Sequence, residues 1–277
     1  SYLRYFFKKI EKKISDQGKG STFKAITQKD LKALKIPLPS LSEQKAIVAK
    51  LDRAQRLIEI DKKMLVKYDE LIQSVFLEMF GDPVTNPKGW DKVPTIKYTE
   101  CIVPGRSKPK SFTGHIPWIT TSDLKHLGFT YSANEDFGLN EFEIDKVNAK
   151  KIPKNSVIMT CVGDLGIVSI NKVEIVMNQQ LHAFICKEKL NNIFLMFNLS
   201  FQKPYMNKMA SNTTVHYMNK TVANNTPTIT PPIELQFEFA NIFKRVFMAK
   251  TQIEKGILKS EELFSSLVQE VFKNEKI

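Results

Sequence analysis

The chain has 277 residues, of which 42% are hydrophobic and 25% charged; this is typical of a globular protein and excludes a fibrous or fully disordered one. Forty-one Lys and Arg side chains against 29 Asp and Glu leave a net charge of +12. Because no stretch approaches about eighteen uninterrupted apolar residues, this excess predicts a nucleic-acid partner rather than a membrane.

The N-terminal segment, residues 1–43, is the most basic part of the sequence, with ten basic and four acidic side chains. Its first seven residues have the pattern of the middle of an element, so we expect the chain to continue upstream. No secretory signal is visible there, and the three cysteines (Cys101, Cys161 and Cys186) fit neither a disulfide framework nor a zinc finger. These features predict a cytoplasmic protein.

A heptad pattern predicts a long helix over residues 44–80. Ser40 and Glu43 form a capping-box pattern at its start, and Gly81-Asp82-Pro83 predicts its end. Such a seam is typical of a coiled coil and requires a partner helix. The seam positions alternate steps of four and three, and only Asp61 interrupts the apolar series Ile47, Leu51, Ala54, Ile58, Leu65, Tyr68, Ile72, Val75 and Met79.

The next region, residues 81–235, has a different pattern and carries 17 basic and 13 acidic residues. Short β-rich runs bounded by Gly, Asn and Pro predict strands, and a helical stretch near Asn192–Met209 follows them. The region is therefore predicted to be a mixed α+β domain. The predicted strands lie at 116–119, 157–162, 167–170 and 181–185.

The heptad pattern returns over residues 236–277. A shift of 192 residues places Pro39–Gln44 on Pro231–Gln236 and aligns the two seams, which indicates an internal repeat. Two long seams in one chain predict an antiparallel intramolecular coiled coil, with Asp61 and Lys250 as polar seam residues; two core helices of a bundle are the alternative.

Three segments resemble the specificity subunits of type I restriction–modification enzymes. Ile36–Val48 (I-P-L-P-S-L-S-E-Q-K-A-I-V) is similar to the block that leads from a target-recognition domain into a spacer helix. Gly114–Ile119 followed by Ser122–Leu124 is similar to the opening of a recognition domain. Gly163–Gly166 followed by Asn178–Gln180 resembles the family's G-x-x-G…N-Q segment.

The resemblance implies an α+β fold: a mixed α/β target-recognition domain flanked by two long helices that form an antiparallel coiled coil. It assigns the segments as the C-terminal tail of a first recognition domain (1–43), a conserved spacer helix (44–80), a recognition domain (81–235) and a second spacer helix (236–277).

The resemblance also implies a non-catalytic subunit. Each recognition domain would read one half of a bipartite sequence in double-stranded DNA, and the helices would act as a ruler between the halves. The partners would be methyltransferase subunits, which use S-adenosylmethionine, and motor-nuclease subunits, which use ATP and Mg²⁺; no cofactor and no membrane contact are expected for the chain itself.

The short first domain and the degenerate Pro231–Gln236 block leave alternatives open. Two copies of the chain would pair symmetrically on a palindromic target, or the chain is a fragment. A third alternative is a docking-only protein, or a truncated cassette product, that binds methyltransferase without reading DNA.

Catalytic and metal motifs are poorly represented. Gly18–Thr22 lacks the first glycine of a phosphate-binding loop, and Thr230–Ile233 lacks the polar and aromatic neighbours of a methyltransferase Pro-Pro motif. The four histidines are far apart in the sequence, without the spacing of a ligand pair. These patterns predict neither a catalytic centre nor a metal site.

The candidate DNA-binding residues combine basic groups with small hydroxyl and amide groups, which suit phosphates and base edges. Each of three candidate segments has a structural alternative. Residues 106–111 would be a solvated surface loop, Ser122 or Thr121 would cap a turn within 120–126, and the amide segment 178–180 would have a structural role. The candidates are Arg106, Lys108, Lys110 and Ser111; Thr120, Thr121, Lys125 and His126; Asn178, Gln179 and Gln180; and Asn212, Thr213, Thr214, His216 and Lys220.

Overall fold

The computed structural model describes residues 1–17, 27–105, 107–211 and 216–272, and the chain divides into two compact units. Unit 1 comprises Ser1–Glu70 and Met248–Ile277, and unit 2 comprises Leu71–Phe247. The helices are α1 (Tyr2–Gln17), α2 (Gln28–Ala33), α3 (Leu41–Phe80), α4 (Glu141–Lys146), α5 (Asn192–Phe201), α6 (Lys203–Met209), α7 (Lys220–Asn224) and α8 (Ile233–Val271). The strands are β1 (Lys92–Pro94), β2 (Thr99–Ile102), β3 (Ile116–Ile119), β4 (Gly128–Thr130), β5 (Gly138–Leu139), β6 (Lys151–Ile152), β7 (Val157–Thr160), β8 (Val168–Asn171), β9 (Ile175–Met177), β10 (Leu181–Cys186) and β11 (Pro227–Ile229).

Helix α3 begins and ends with the signals found in the sequence. The Ser40 N–H donates to Glu43 Oε2 at 2.9 Å and the Glu43 N–H donates to Ser40 Oγ at 3.3 Å, which completes the capping box. At the other end, Gly81 has a φ of +75° and its N–H donates to Leu77 O at 2.8 Å. A residue without Cβ is favoured in this left-handed conformation, so the helix stops there.

In unit 1, helices α3 and α8 pack antiparallel. Lys62 pairs with Glu261 at 2.6 Å and Lys250 pairs with Asp69, so that residue numbers fall along α8 as they rise along α3. Lys250, a seam residue in the sequence pattern, is thus balanced by a carboxylate on the facing helix. The core between α1, α3 and α8 consists of Tyr2, Tyr5, Phe6, Ile10, Leu51, Ile58, Ile257, Phe264, Val268 and Phe272.

Unit 2 contains three sheets, with strand orders β2-β10-β7-β8-β4, β5-β3-β9-β6 and β1-β11. The pairs β3/β9 and β4/β8 are parallel, and the other pairs are antiparallel. The single helical stretch predicted near Asn192–Met209 is two helices, because Pro204 has no N–H to continue the hydrogen bonds of α5. This α+β domain and the antiparallel long helices confirm the predicted fold class.

The core of unit 2 has an aromatic cluster that includes the C-terminal end of α3, the start of α8 and α5. Phe80 lies 4.8 Å from Phe194 between ring centroids. The shift of 192 residues relates this pair to Phe272 and Tyr2, whose ring centroids lie 5.3 Å apart in unit 1. The repeat therefore preserves a contact between side chains, although only one of these two positions keeps its residue type.

The repeat also preserves a polar contact at the start of each long helix. Gln44 Nε2 donates to Pro39 O and Gln236 Nε2 donates to Pro231 O, both at 2.8 Å. Gln236 is completely buried, and its Oε1 also accepts from the Asn191 N–H at 2.9 Å. Glutamine at this position thus fastens the incoming chain to the first turn, which explains why it survives in the degenerate second block.

Candidate nucleic-acid interface

Unit 2 has a cleft of about 320 Å³ in which several of the predicted DNA-binding segments meet. Five of the candidate residues line it: Lys108, Thr120, Asn178, Gln179 and Gln180. The other lining residues are Ser107, Phe112, Trp118 and Phe137.

The parallel pairing of β3 with β9 brings two of these segments together. Trp118 pairs with Val176, so both strands end at the same edge of the sheet. The Asn178 N–H then donates to Ile119 O at 2.9 Å, which places the amide segment directly beside Thr120.

Thr120 forms the cap that the sequence reading assigned to Ser122 or Thr121. The backbone N–H and the Oγ1 hydroxyl of Thr120 each donate to Asp123 Oδ2 at 2.7 Å, at the start of a 3₁₀ turn. The buried Asp123 also accepts from the Asn134 N–H at 2.6 Å. The cap is therefore at Thr120 and not at Ser122 or Thr121, and Asp123 holds this wall of the cleft in place.

The amide segment divides into a structural and an exposed part. Asn178 Oδ1 accepts from the Gln180 N–H at 3.1 Å, and Asn178 Nδ2 donates to Gln180 Oε1 at 3.0 Å. Asn178 thus closes its own turn, whereas the side chains of Gln179 and Gln180 are exposed. The Cys161 N–H donates to Gln180 O at 2.8 Å and fixes the turn to the five-stranded sheet.

The basic loop, described over residues 107–111, contributes Ser107 and Lys108 to the lining of the cleft. Lys108, Lys110 and Ser111 are exposed, and Arg106 lies outside the described residues. The far side of the loop borders a second hollow of about 210 Å³, whose lining includes Glu143 on α4.

Glu143 anchors the end of the basic loop. Its carboxylate accepts from the Thr113 N–H at 3.2 Å and from the Asn140 N–H at 3.0 Å. A hydrogen bond from Ser111, together with these backbone donors, lowers the pKa of Glu143 to about 2. Glu143 therefore stays charged at neutral pH.

Lys125, His126, His216 and Lys220 are exposed but are not among the residues lining the cleft. His126 Nδ1 accepts from the Val168 N–H at 3.2 Å, and His216 O accepts from the Gly163 N–H at 3.0 Å. Asn212, Thr213 and Thr214 lie outside the described residues, as does the stretch Gly20–Thr22 that the repeat relates to them.

The last candidate segment nevertheless lies near the cleft. The Met218 N–H donates to Cys161 O at 2.8 Å, and the Cys161 N–H donates to Gln180 O at 2.8 Å. The last candidate segment and the amide segment therefore lie on either side of Cys161. Burial, followed by the charge of Lys220, lowers the pKa of His182 to about 4. Lys220 is therefore close to the first residues of β10, which follow Gln180.

Several residues of the site carry no sequence signal of their own. Phe112 and Phe137 stand singly in polar loops, and Trp118 lies in a strand whose pattern indicates only burial. The anchors Asp123 and Glu143 could have been found only as the third residues of capping boxes, at Thr120 and Asn140.

The described residues contain no cluster of three or more His, Cys, Asp and Glu side chains that could hold a metal ion. Burial raises the pKa of Cys101 to about 11 and that of Cys161 to about 12, so these thiols are poor nucleophiles. None of the helices in the described part of the chain has the length and apolar content needed to cross a bilayer.

The sequence matches the family model of the type I restriction modification DNA specificity domain over residues 1–67 and 103–262. The chain belongs to this family. The resemblance found in the sequence motifs is thereby confirmed.

Two relatives come from Methanocaldococcus jannaschii. A putative type I restriction enzyme MjaX specificity subunit is 50% identical over 62 residues, or 22% of this chain and 15% of that protein. The type I restriction enzyme MjaIX specificity subunit is 24% identical over 197 residues, or 68% of this chain and 44% of that protein. The chain thus spans less than half the length of these curated relatives.

Solved structures share the fold at low identity. The HsdS subunit from Thermoanaerobacter tengcongensis has a TM-score of 0.52 at 18% identity, and the S subunit from M. genitalium a TM-score of 0.55 at 17% identity. A chain of a type I R-M system, studied for complex assembly and conformational transition, has a TM-score of 0.65 at 20% identity. Each match covers 99% of this chain and 70–73% of the other.

Proposed function

We propose that the chain is a DNA-reading and scaffold subunit of a type I restriction–modification complex, in which unit 2 reads one half of a bipartite target. The observation that carries this proposal is the cleft, where Lys108 meets Thr120 and the Asn178–Gln180 turn. Lysine supplies sequence-independent phosphate attraction, and amides are suited to base edges. This combination of phosphate-binding and base-contacting groups is expected of a DNA specificity domain.

The chain itself would carry no catalytic centre. Methyl transfer would use S-adenosylmethionine on methyltransferase subunits, and DNA translocation and cleavage would use ATP and Mg²⁺ on motor-nuclease subunits. These partners and cofactors follow from the family.

Docking of the methyltransferase is proposed to use α3. Leu57, Ile60 and Met64 are 60%, 48% and 41% exposed, and their spacing of three and four residues puts them on one helix face outside the seam. An apolar stripe of this kind suits a partner helix. Met64→Gln should weaken co-purification of the methyltransferase subunit, whereas Val66→Gln, at an even more exposed apolar position about 200° around the helix, should not.

Charge reversal tests the DNA-reading part. Lys108→Glu with Lys110→Glu should weaken binding to every DNA sequence at least tenfold at low salt, and lower the slope of log K against log salt by about 2. The matched control is Lys187→Glu with Lys189→Glu, which alters net charge equally. These exposed lysines follow β10, roughly 20 Å along the strand from Gln180.

Co-expression with the methyltransferase subunit and genome-wide mapping of methylated adenines would then identify the target. A palindromic bipartite motif would indicate that two copies pair, and an asymmetric motif would indicate a second recognition domain. A stable complex without a motif, together with an unaffected charge-reversal variant, would favour the docking-only alternative.

A further inference from the structure

One wall of the cleft is aromatic. The ring centroids of Phe112 and Phe137 lie 4.7 Å apart, and those of Phe112 and Trp118 lie 6.3 Å apart. Phe137 is 39% exposed, whereas Trp118 is 5% exposed and supports the wall from behind. The cleft is therefore lined by three aromatic side chains, of which Phe137 is the most exposed, and by residues that are otherwise polar.

The facing side of the cleft offers hydrogen-bond donors. Because Asn178 Nδ2 occupies Gln180 Oε1, the Gln180 side chain is held in place through its oxygen. Its Nε2 donates to no residue in the described part of the chain, which leaves two N–H groups for a ligand. Lys108 adds a cation at the same cleft.

A ring face, an amide donor and a cation together match the parts of a nucleotide: a planar base, its carbonyl or ring-nitrogen acceptors, and a phosphate. In an intact duplex both faces of a base are covered by its neighbours, so only base edges are available in the grooves. A ring wall contributes to binding only when a base leaves the stack. The volume of about 320 Å³ lies within the range of small-ligand pockets, about 300–1,000 Å³.

We propose that this cleft holds one unstacked nucleobase, packed against Phe137 and hydrogen-bonded by Gln180. The proposal rests on the DNA-binding function above and adds to it that one base of the bound DNA is extrahelical. The same chemistry would suit the base of a free nucleotide, so the test distinguishes the two sources.

The test compares a duplex that carries a single-base bulge with the same duplex fully paired. A bulged base is already partly unstacked, so the 277-residue chain should bind the bulged duplex about tenfold more tightly. Placing 2-aminopurine at the bulge gives a second readout, because its fluorescence changes on stacking against an aromatic side chain. Equal affinity for the two duplexes would overturn the proposal.

Variants assign the effect to the cleft. Phe137→Ala and, independently, Gln180→Ala should each reduce the preference for the bulge towards one, with the thermal unfolding midpoint recorded for each. Tyr131→Ala is the control, since Tyr131 is an exposed aromatic residue of unit 2 that does not line the cleft. A bulge preference that persists in both cleft variants would place the bound base elsewhere.

Competition with free nucleotides identifies the source of the base. ATP and S-adenosylmethionine at millimolar concentration should leave the bulge preference unchanged; its abolition would assign the cleft to a free nucleotide. Failure of this proposal is separable from failure of the proposed function. If the lysine reversals weaken binding to all duplexes but bulged and paired DNA bind equally, only the base pocket is wrong.

Discussion

The buried amide of Gln236 allows a quantitative test of the internal repeat, because Gln44 provides the matched control. Gln236→Ala would leave the Asn191 N–H and Pro231 O without partners inside unit 2. A buried polar group left unpaired costs about 1–3 kcal/mol, so we expect a loss of roughly 3 kcal/mol for the two groups. Gln44→Ala removes a single bond from a half-buried side chain, at a cost of about 0.5–1 kcal/mol.

Urea unfolding separates these expectations. The two tryptophans, Trp90 and Trp118, both lie in unit 2, so their fluorescence follows that unit, while circular dichroism at 222 nm follows the helices of both. With an m-value of about 2 kcal/mol/M, Gln236→Ala should lower the fluorescence midpoint by about 1.5 M, and Gln44→Ala should leave it nearly unchanged. Equal shifts, or a larger one for Gln44→Ala, would refute the reasoning.

Two further predictions concern titratable groups of unit 2. Burial lowers the pKa of His182 from its unfolded value of 6.5 to about 4. As the pH falls, the unfolded state therefore takes up the proton first. The contribution of the neutral His182 to the free energy of unfolding is fully present above pH 6.5 and falls by about 3 kcal/mol as the pH drops to 4. His182→Leu should remove this part of the pH dependence of the urea midpoint, whereas substitution of the exposed His115 should retain it. Glu143→Gln replaces an acceptor oxygen by a donor, so the basic loop should loosen and trypsin should cleave it several-fold faster. Glu141→Gln, on the same helix but ion-paired at the surface, is the control, and equal cleavage of the two variants would contradict the anchoring role.

The fold class and the long helices could be predicted from the sequence because the helix signals are local, whereas only four of the eleven strands in the described residues were predicted. The heptads, the capping box at Ser40 and the stop at Gly81 all lie within a few residues of the structure that they determine. The sequence analysis predicted one helical stretch over 192–209, whereas the structure has two helices separated near Pro204. The boundary was missed because the apolar residues run almost without interruption up to Phe201. The contacts within the aromatic core of unit 2 could not be predicted from the sequence either, because residues such as Phe80 and Phe194 are far apart along the chain.

Five residues that line the cleft were candidates in the sequence, but the sequence could not show that they lie together. Thr120 and Asn178 meet only because β3 and β9 pair in parallel, and no pattern in the sequence specifies which strands are neighbours. Phe112 and Phe137 lie outside any periodic sequence pattern, so the sequence does not show whether they line a cleft or are buried in the core. The last candidate segment, near Lys220, lies beside the amide segment because both are hydrogen-bonded to Cys161. The internal repeat does not predict this contact.

The amide segment 178–180 has two interpretations in the sequence, a structural role and base readout. The resemblance favours a structural role, because it implies that the segment recurs in the family, whereas the amides favour base readout. In the structure Asn178 uses its amide within the turn, whereas the exposed Gln180 side chain is bonded there through its oxygen. If Gln180 contacts a base, as proposed above, Asn178 positions it by holding the turn. Asn178→Ala should consequently disturb the binding of every DNA, whereas changes at Gln180 should alter preference between DNAs.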